Sequence, residues 1–202
     1  MKEYCMRSGL EMYNDLISSI NSAVTNANAS LISPGEEEVG DSSVLVNPES
    51  IFEVMSFLKP LYNGLQVISG VDYTEYIEVC YFLAHFDPEN PKDVMIKTRL
   101  KDRQDPRLNS ISSLYLAANW QERECYDMLG VSFNNHPDHR RILCPDDWEG
   151  FPLRRDYKVQ EVYRGMKVNP ENKMNRDDQL FEDNKQKGNE ADLIAWALSK
   201  GL

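Results

Sequence analysis

The chemically able side chains of this 202-residue chain crowd into one stretch, Asn119–Tyr157, NWQERECYDMLGVSFNNHPDHRRILCPDDWEGFPLRRDY. His136, His139 and Cys144, with Asp138 among them, read H-P-D-H-x4-C. Imidazole, thiolate and carboxylate are all transition-metal ligands. The spacing matches no established ligand pattern, however, and Pro137 separates the histidines. A turn whose histidines bond to backbone or carboxylates accounts for these residues better, so no metal is expected. Cys125 and His136 would make a nucleophile and its base only within hydrogen-bond reach, with a third group orienting the imidazole. Nothing in the sequence supplies that third group. Asp146 and Asp147 form a candidate acid–base pair, but P-D-D-W reads first as an acidic turn. With neither a G-x-G-x-x-G run nor a Walker loop, nucleotide binding is not expected.

A different chemistry fits the stretch better: holding chains together. The spacing predicts a helix over Trp120–Leu129, opened by a capping box with Asn119 as N-cap and Glu122 at N3. Gly130 would close it. The helix carries Glu122, Arg123, Glu124 and Asp127. At about 100° per residue, three consecutive charges spread over about 200°. If Trp120, Cys125, Met128 and Leu129 are buried, at least one charge must be partnered at a boundary. Arg140, Arg141, Arg154 and Arg155 supply guanidinium forks, and Asp146, Asp147, Glu149 and Asp156 supply carboxylates for bidentate pairing. Trp148, Phe151 and Tyr157 are aromatic anchors of the kind found at interface hot spots. So irregular a segment is expected to be covered by another protein surface. The alternative is a loop packed on its own domain.

The elements positioning this stretch read as an α+β fold: a single compact domain with a mixed or antiparallel sheet and helices, then a long irregular C-terminal extension ending in a short helix. The expected division is a core over residues 1–130 and an extended segment over 131–202. Leu10, Tyr13, Leu16, Ile17, Ile20 and Val24 mark an amphipathic helix over Gly9–Ala29. Ser33–Ser43 reads as an acidic loop between two short strands, the second at Val44–Val46. Asn47–Pro48 reads as N-cap and N1 of a helix reaching Lys59, with Ile51, Phe52, Met55 and Leu58 inward. Strands are expected at Leu65–Ser69, Tyr76–Phe86 and Val94–Leu100, with SGVDY as a turn and the last two strands paired as an antiparallel hairpin. Val94, Ile96, Thr98 and Leu100 alternate onto one face. KDRQDPRLNS reads as a polar connection and Ile111–Ala118 as a turn or short helix. Lys158–Gly188 reads as an extended tail and Asn189–Lys200 as a terminal amphipathic helix that docks on a neighbour.

Composition narrows the class. The formal net charge of −11 argues against a nucleic-acid binder. Apolar residues at 41% and charged residues at 27% are ordinary for a globular protein. No segment is long and apolar enough for a bilayer span, and the N-terminus lacks an apolar signal core. Cys5, Cys80, Cys125 and Cys144 sit in no C-x-x-C pair, so reduced thiols are the expectation.

The ordered set E-R-E, Y-D-M-x-G, H-P, R-R-I-L, P-D-D-W-E-G and P-L-R-x-D-Y resembles the signature of the 30 kDa-type subunit of respiratory complex I. In bacteria this is the C-type subunit of NADH-quinone oxidoreductase. Upstream, SGVDY, YFLAHF, MIKTRL and DPRLNSISSLYLAAN resemble the same family, extending the likeness over Leu45–Tyr157. The resemblance implies a compact α/β domain with a C-terminal extension and no cofactor in this chain. FMN and Fe–S clusters would lie in partner subunits, and electrons would pass through them from NADH to quinone. The implied partners are the 49 kDa-type subunit and the quinone-proximal Fe–S subunits. The implied location is peripheral, at the cytoplasmic face of the bacterial inner membrane. No residue is implied to be catalytic. Trp120, Glu122, Arg123, Glu124, Asp127, His136, Pro137, Arg140, Arg141, Asp146, Asp147, Trp148, Arg154, Arg155, Asp156 and Tyr157 would serve interface and structure. Two residues depart from the family pattern: Asn135 stands where Gly commonly precedes His-Pro, and Phe151 where His is frequent. YDMLG and NHP are also similar to the J-type subunit of the photosynthetic NAD(P)H-quinone oxidoreductase. VYRGMKVNPENKM looks more like its respiratory bacterial counterpart. Related membrane-bound hydrogenases contain such a subunit too.

Overall fold

The computed structural model describes residues 2–32, 42–86, 89 and 92–168, with side chains from residue 11 onward. The chain divides into two compact units, Met1–Lys158 and Val159–Leu202. The first holds helices α1 (Lys2–Ala23), α2 (Ile51–Leu58) and α3 (Ala118–Leu129). Its strands are β1 (Ser30–Ile32), β2 (Ser43–Leu45), β3 (Gly64–Asp72), β4 (Ile77–His85), β5 (Lys92–Leu100), β6 (Arg107–Asn109) and β7 (Ser132–Asn134). The α+β expectation stands.

Strands β1 to β5 form one mixed sheet in the order β1-β2-β5-β4-β3. β3, β4 and β5 run as an antiparallel meander, β2 joins β5 in parallel, and β1 pairs antiparallel with β2. β5 shows the expected alternation, with Val94, Ile96, Thr98 and Leu100 buried and Met95, Lys97 and Arg99 only partly so. The centre is aliphatic: Ile20, Val44, Ile51, Met55, Leu58, Ile77, Leu83 and Ile96 are wholly enclosed. On the other side of the register, Glu78 lies between Lys97 (3.4 Å) and Arg99 (2.7 Å).

Several boundaries differ from the sequence reading. SGVDY is not a turn: Ser69–Asp72 lies within β3, which pairs with β4 out to Asp72↔Ile77, and the chain reverses at Tyr73–Tyr76. Asn47 makes no side-chain cap, because a 3-10 turn at Pro48–Ser50 intervenes before α2. α1 ends at Ala23, where Asn26 (φ 63°) and Asn28 (φ 47°) turn the chain into β1. The polar connection conceals β6, which pairs in parallel with β7. The expected boundary at 130 falls inside the first unit, since Val131 and Phe133 belong to its core.

α3 lies close against β3. A Cβ on Gly70 would lie 2.2 Å from Leu129 Cδ1, so a side chain there would force Leu129 to shift. Gln121 reaches the outer strand: Ile68 N–H donates to its Oε1 (2.6 Å), and its Nε2 donates to Gln66 O (3.3 Å). The second unit is described to residue 168, where β8 (Val162–Tyr163) and β9 (Met166–Lys167) form a hairpin within the expected tail. The expected helix at Asn189–Lys200 lies outside the described residues.

Candidate functional site

The signature stretch is organised around α3. The helix begins at Ala118, with Ala117 as N-cap and no side-chain cap. Asn119 is therefore inside the helix, and the expected capping box does not form. Glu122 reaches away from its own helix instead. Its Oε2 accepts the Ser110 hydroxyl (2.6 Å) and its Oε1 accepts Ile111 N–H (2.8 Å), holding the turn after β6. Arg123 donates to the carbonyls of Arg140 (3.1 Å) and Arg141 (3.3 Å) and lies 3.3 Å from Asp138.

Asp127 holds the next loop. Its Oδ2 accepts three consecutive backbone N–H groups, Ile142 (3.0 Å), Leu143 (2.6 Å) and Cys144 (2.9 Å). Its Oδ1 accepts Arg141 Nη1 (2.7 Å). Three N–H groups converging on one oxygen form an anion nest, filled here by a side chain of the same molecule. Burial pushes the Asp127 carboxyl up, but the bonds from Cys144, Arg141, Leu143 and Ile142 outweigh it and hold it below its ordinary range. Arg141 also donates to the carbonyls of Trp148 (3.1 Å) and Gly150 (3.0 Å), tying the 148–150 turn to the same carboxylate.

The C-terminal end of α3 is fastened in turn. Gly130 has φ 76°, and a Cβ there would lie 2.5 Å from Phe151 and 2.7 Å from Arg154. Arg154 donates from Nε to Leu129 O and from Nη1 to Arg103 O. The Phe151 ring lies against both Arg141 (5.2 Å) and Arg154 (4.8 Å). Leu153 N–H donates to Met128 O (3.0 Å). Asp72, at the end of β3, binds Arg103 through both oxygens and accepts Arg155 N–H (2.8 Å). Trp148 Nε1 donates to Tyr157 Oη (3.1 Å).

Other expected site residues lie at the surface. Trp120 is not buried: it is 65% exposed, with Arg123 stacked beneath its ring. Glu124 and Pro137 are exposed, Arg140 pairs with Asp138 (2.8 Å), and Asp156 lies 3.7 Å from Arg103. Asp146 and Asp147 occupy an exposed turn closed by Trp148 N–H to Pro145 O. The histidines are engaged within the chain: His136 accepts Asp138 N–H at Nδ1 and meets Asn119 O at Nε2, while His139 Nε2 accepts Phe133 N–H. Among the described residues, no group of three His, Cys, Asp or Glu side chains is arranged to hold a metal. Cys125 is buried, which pushes its thiol up to about 12, with Glu124 and Glu122 adding to the effect. That is unsuited to a thiolate nucleophile.

Asp72, Arg103 and Ser110 were not anticipated. Each acts across a sequence separation of 12 residues or more, and the possible pointers were the D of SGVDY and the first S of DPRLNSISSLYLAAN, both inside named motifs. Asn135, where the resemblance leads to an expectation of glycine, has φ 62°. Asparagine is among the few side chains tolerated there.

The profile of the respiratory-chain NADH dehydrogenase, 30 Kd subunit family matches residues 44–163. The chain belongs to that family. The match takes in β2 through β8 and all of the α3 fastening. The C-type subunit of NADH-quinone oxidoreductase from Chloroherpeton thalassium is 48% identical over 109 residues, 53% of this chain and 44% of the relative. The corresponding C-type protein of Geobacter metallireducens is 39% identical over 134 residues, 62% of this chain and 82% of the relative. The J-type subunit of NAD(P)H-quinone oxidoreductase from Prochlorococcus marinus MIT 9211 is 35% identical over 134 residues, 63% of this chain and 74% of the relative. The chain thus spans about half the length of the Chloroherpeton protein (44%) and under two thirds of its Chlorobium phaeobacteroides counterpart (64%). In fold, it resembles a chain of an archaeal respiratory membrane complex, the membrane-bound sulfane sulfur reductase. The TM-score is 0.57 at 22% identity, over 72% of this chain and 85% of the other.

Proposed function

We propose that this chain is a structural, non-catalytic subunit in the hydrophilic arm of a proton-translocating NADH:quinone oxidoreductase. One observation carries this reading. Glu122, Arg123, Asp127, Arg141 and Arg154, the ionic groups at the heart of the family's matched segment, bind backbone groups of this chain. Such groups fix a shape; they do not turn over a substrate. FMN and Fe–S clusters would reside in partner subunits, with the 49 kDa-type and quinone-proximal Fe–S subunits as neighbours. The exposed members of the set, Trp120, Glu124, Pro137, Arg140, Asp146, Asp147, Arg155 and Asp156, would meet those partners, together with the rest of residues 131–202. No helix among the described residues is long and apolar enough to cross a membrane. Attachment to the cytoplasmic face of the inner membrane would then come through the complex.

The test is to tag the chain, purify the intact assembly and identify its subunits by mass spectrometry, with elemental analysis and absorbance on the isolated chain. Co-purification with a quinone-reducing complex and a colourless, metal-free chain are expected. A chain absent from any such assembly, or one carrying stoichiometric metal or flavin, overturns the reading. The Prochlorococcus likeness supports a second version, an NAD(P)H- or ferredoxin-driven plastoquinone complex. Assaying the purified assembly with reduced ferredoxin as donor, and with plastoquinone against ubiquinone or menaquinone as acceptor, separates the two.

A further inference from the structure

Glu122 and His136 face each other with both side chains wholly enclosed, Oε2 to Nε2 3.7 Å. Among the described residues, no Lys or Arg side chain pairs with Glu122. Arg123, next along α3, turns to the Arg140 and Arg141 carbonyls and to Asp138. Cys125 from the same helix and Tyr81 from β4 also face the carboxyl, and burial holds both in their neutral, protonated forms. From the turn after β6 come only Ser110, Ser112 and the Ile111 amide. From the 136–141 segment come His136, His139 and Asp138. His139 accepts Phe133 N–H, and burial lowers its affinity for a proton. Asp138 is bound by Arg140 and Arg123. A carboxylate enclosed without a counter-ion favours its neutral form.

His136 is not placed to supply that counter-charge. Its Nδ1 accepts Asp138 N–H (3.0 Å), so the ring's one proton sits on Nε2, facing Asn119 O (3.0 Å). A second proton on Nδ1 would break the Asp138 bond. A proton on Glu122 breaks nothing: the carboxyl O–H can turn to Ser110 Oγ, whose own hydroxyl then donates to Ser112 Oγ, 2.7 Å away. We propose that Glu122 is a buried proton carrier, and that the joint it makes between α3, the 110–112 turn and the 136–139 turn is tightest when that proton is bound.

Burial raises the Glu122 carboxyl to about 7 against the opposing Ser110 and Ile111 bonds, which places the change in the neutral range. The sign follows. Between the ordinary value of 4.5 and about 7 the folded chain holds a proton that the unfolded chain has lost. Stability therefore falls as pH rises through that window and levels off above it.

The test uses the full chain labelled for NMR. The Glu122 carboxyl carbon should titrate near 7 rather than 4.5. In E122Q, which keeps the carbonyl acceptor but holds no exchangeable charge, the decline of Tm between 4.5 and about 7 should disappear. A Glu122 midpoint near 4.5, or a Tm slope unchanged in E122Q, overturns the proposal. If E122Q does not fold, the wild-type titration decides by itself.

Discussion

The two ends of α3 each bury a carboxylate, and they treat it in opposite ways. Glu122, near the start of the helix, receives two neutral donors and is raised to about 7. Asp127, near the end, receives three backbone N–H groups and a guanidinium and is held low. The helix dipole would order them the other way, since it favours anions at an N-terminus and opposes them at a C-terminus by roughly 0.3–1 kcal/mol. Hydrogen bonds to charged groups contribute about 1.5–3 kcal/mol each. Asp127 collects four, and the dipole loses. What sets a buried carboxylate's charge here is the number of convergent donors, not its place along the helix.

Three changes would break or sharpen that contrast. The largest effect is expected from Asp127→Ala, which strands the Arg141 guanidinium and three N–H groups. It should cost about 3–5 kcal/mol in denaturant unfolding. It should also release residues 140–150 to rapid hydrogen exchange while β4 and β5 stay protected. A loss confined to about 1 kcal/mol would mean that the nest holds its shape unaided. Next is the acid limb of stability. Asp127, with its depressed folded value, contributes stability that is present above its ordinary 3.8 and lost as pH falls through the lower folded value. Asp127→Asn should remove that limb below 3.8 and leave intact the opposite slope assigned to Glu122 in the neutral range. Following Tm against pH for both proteins checks it. The smallest effect is expected from Asn135→Gly. At φ 62° glycine is unstrained but gains freedom in the unfolded chain, so stability should change by no more than about 0.5–1 kcal/mol. A larger loss would mean that the Asn135 side chain itself is needed.

Much of the sheet was legible from the sequence because its signals are local. The alternation of Val94, Ile96, Thr98 and Leu100 needs only neighbours, and so does the αL stop at Gly130. The irregular segment was legible as something pinned by Arg and Asp, but not as to what it pins. The backbone partners of Asp127 lie 15 to 17 residues away, and that of Asp72 lies 83 away. Such pairings leave no periodic trace. Glu122 was misread for the same reason: three residues after Asn119 it looks like a local cap, yet its acceptors serve Ser110 and Ile111. Burial of Trp120 entered the sequence reading only as a condition, and the structure does not meet it: Arg123 supports the Trp120 ring at the surface. β6 is three residues long in polar surroundings and shows no pattern until β7 lies beside it.

The Gln121 side chain has a consequence for β3, the outermost strand of the five-stranded sheet. A carboxamide has the same donor and acceptor as a peptide group. By engaging Ile68 N–H and Gln66 O, Gln121 occupies the rim where another strand would add by backbone pairing, and an open rim of that kind is a template for self-association. A second copy of the chain that meets β3 therefore finds the middle of that edge already bonded, and β3 extends the sheet less readily than its length suggests.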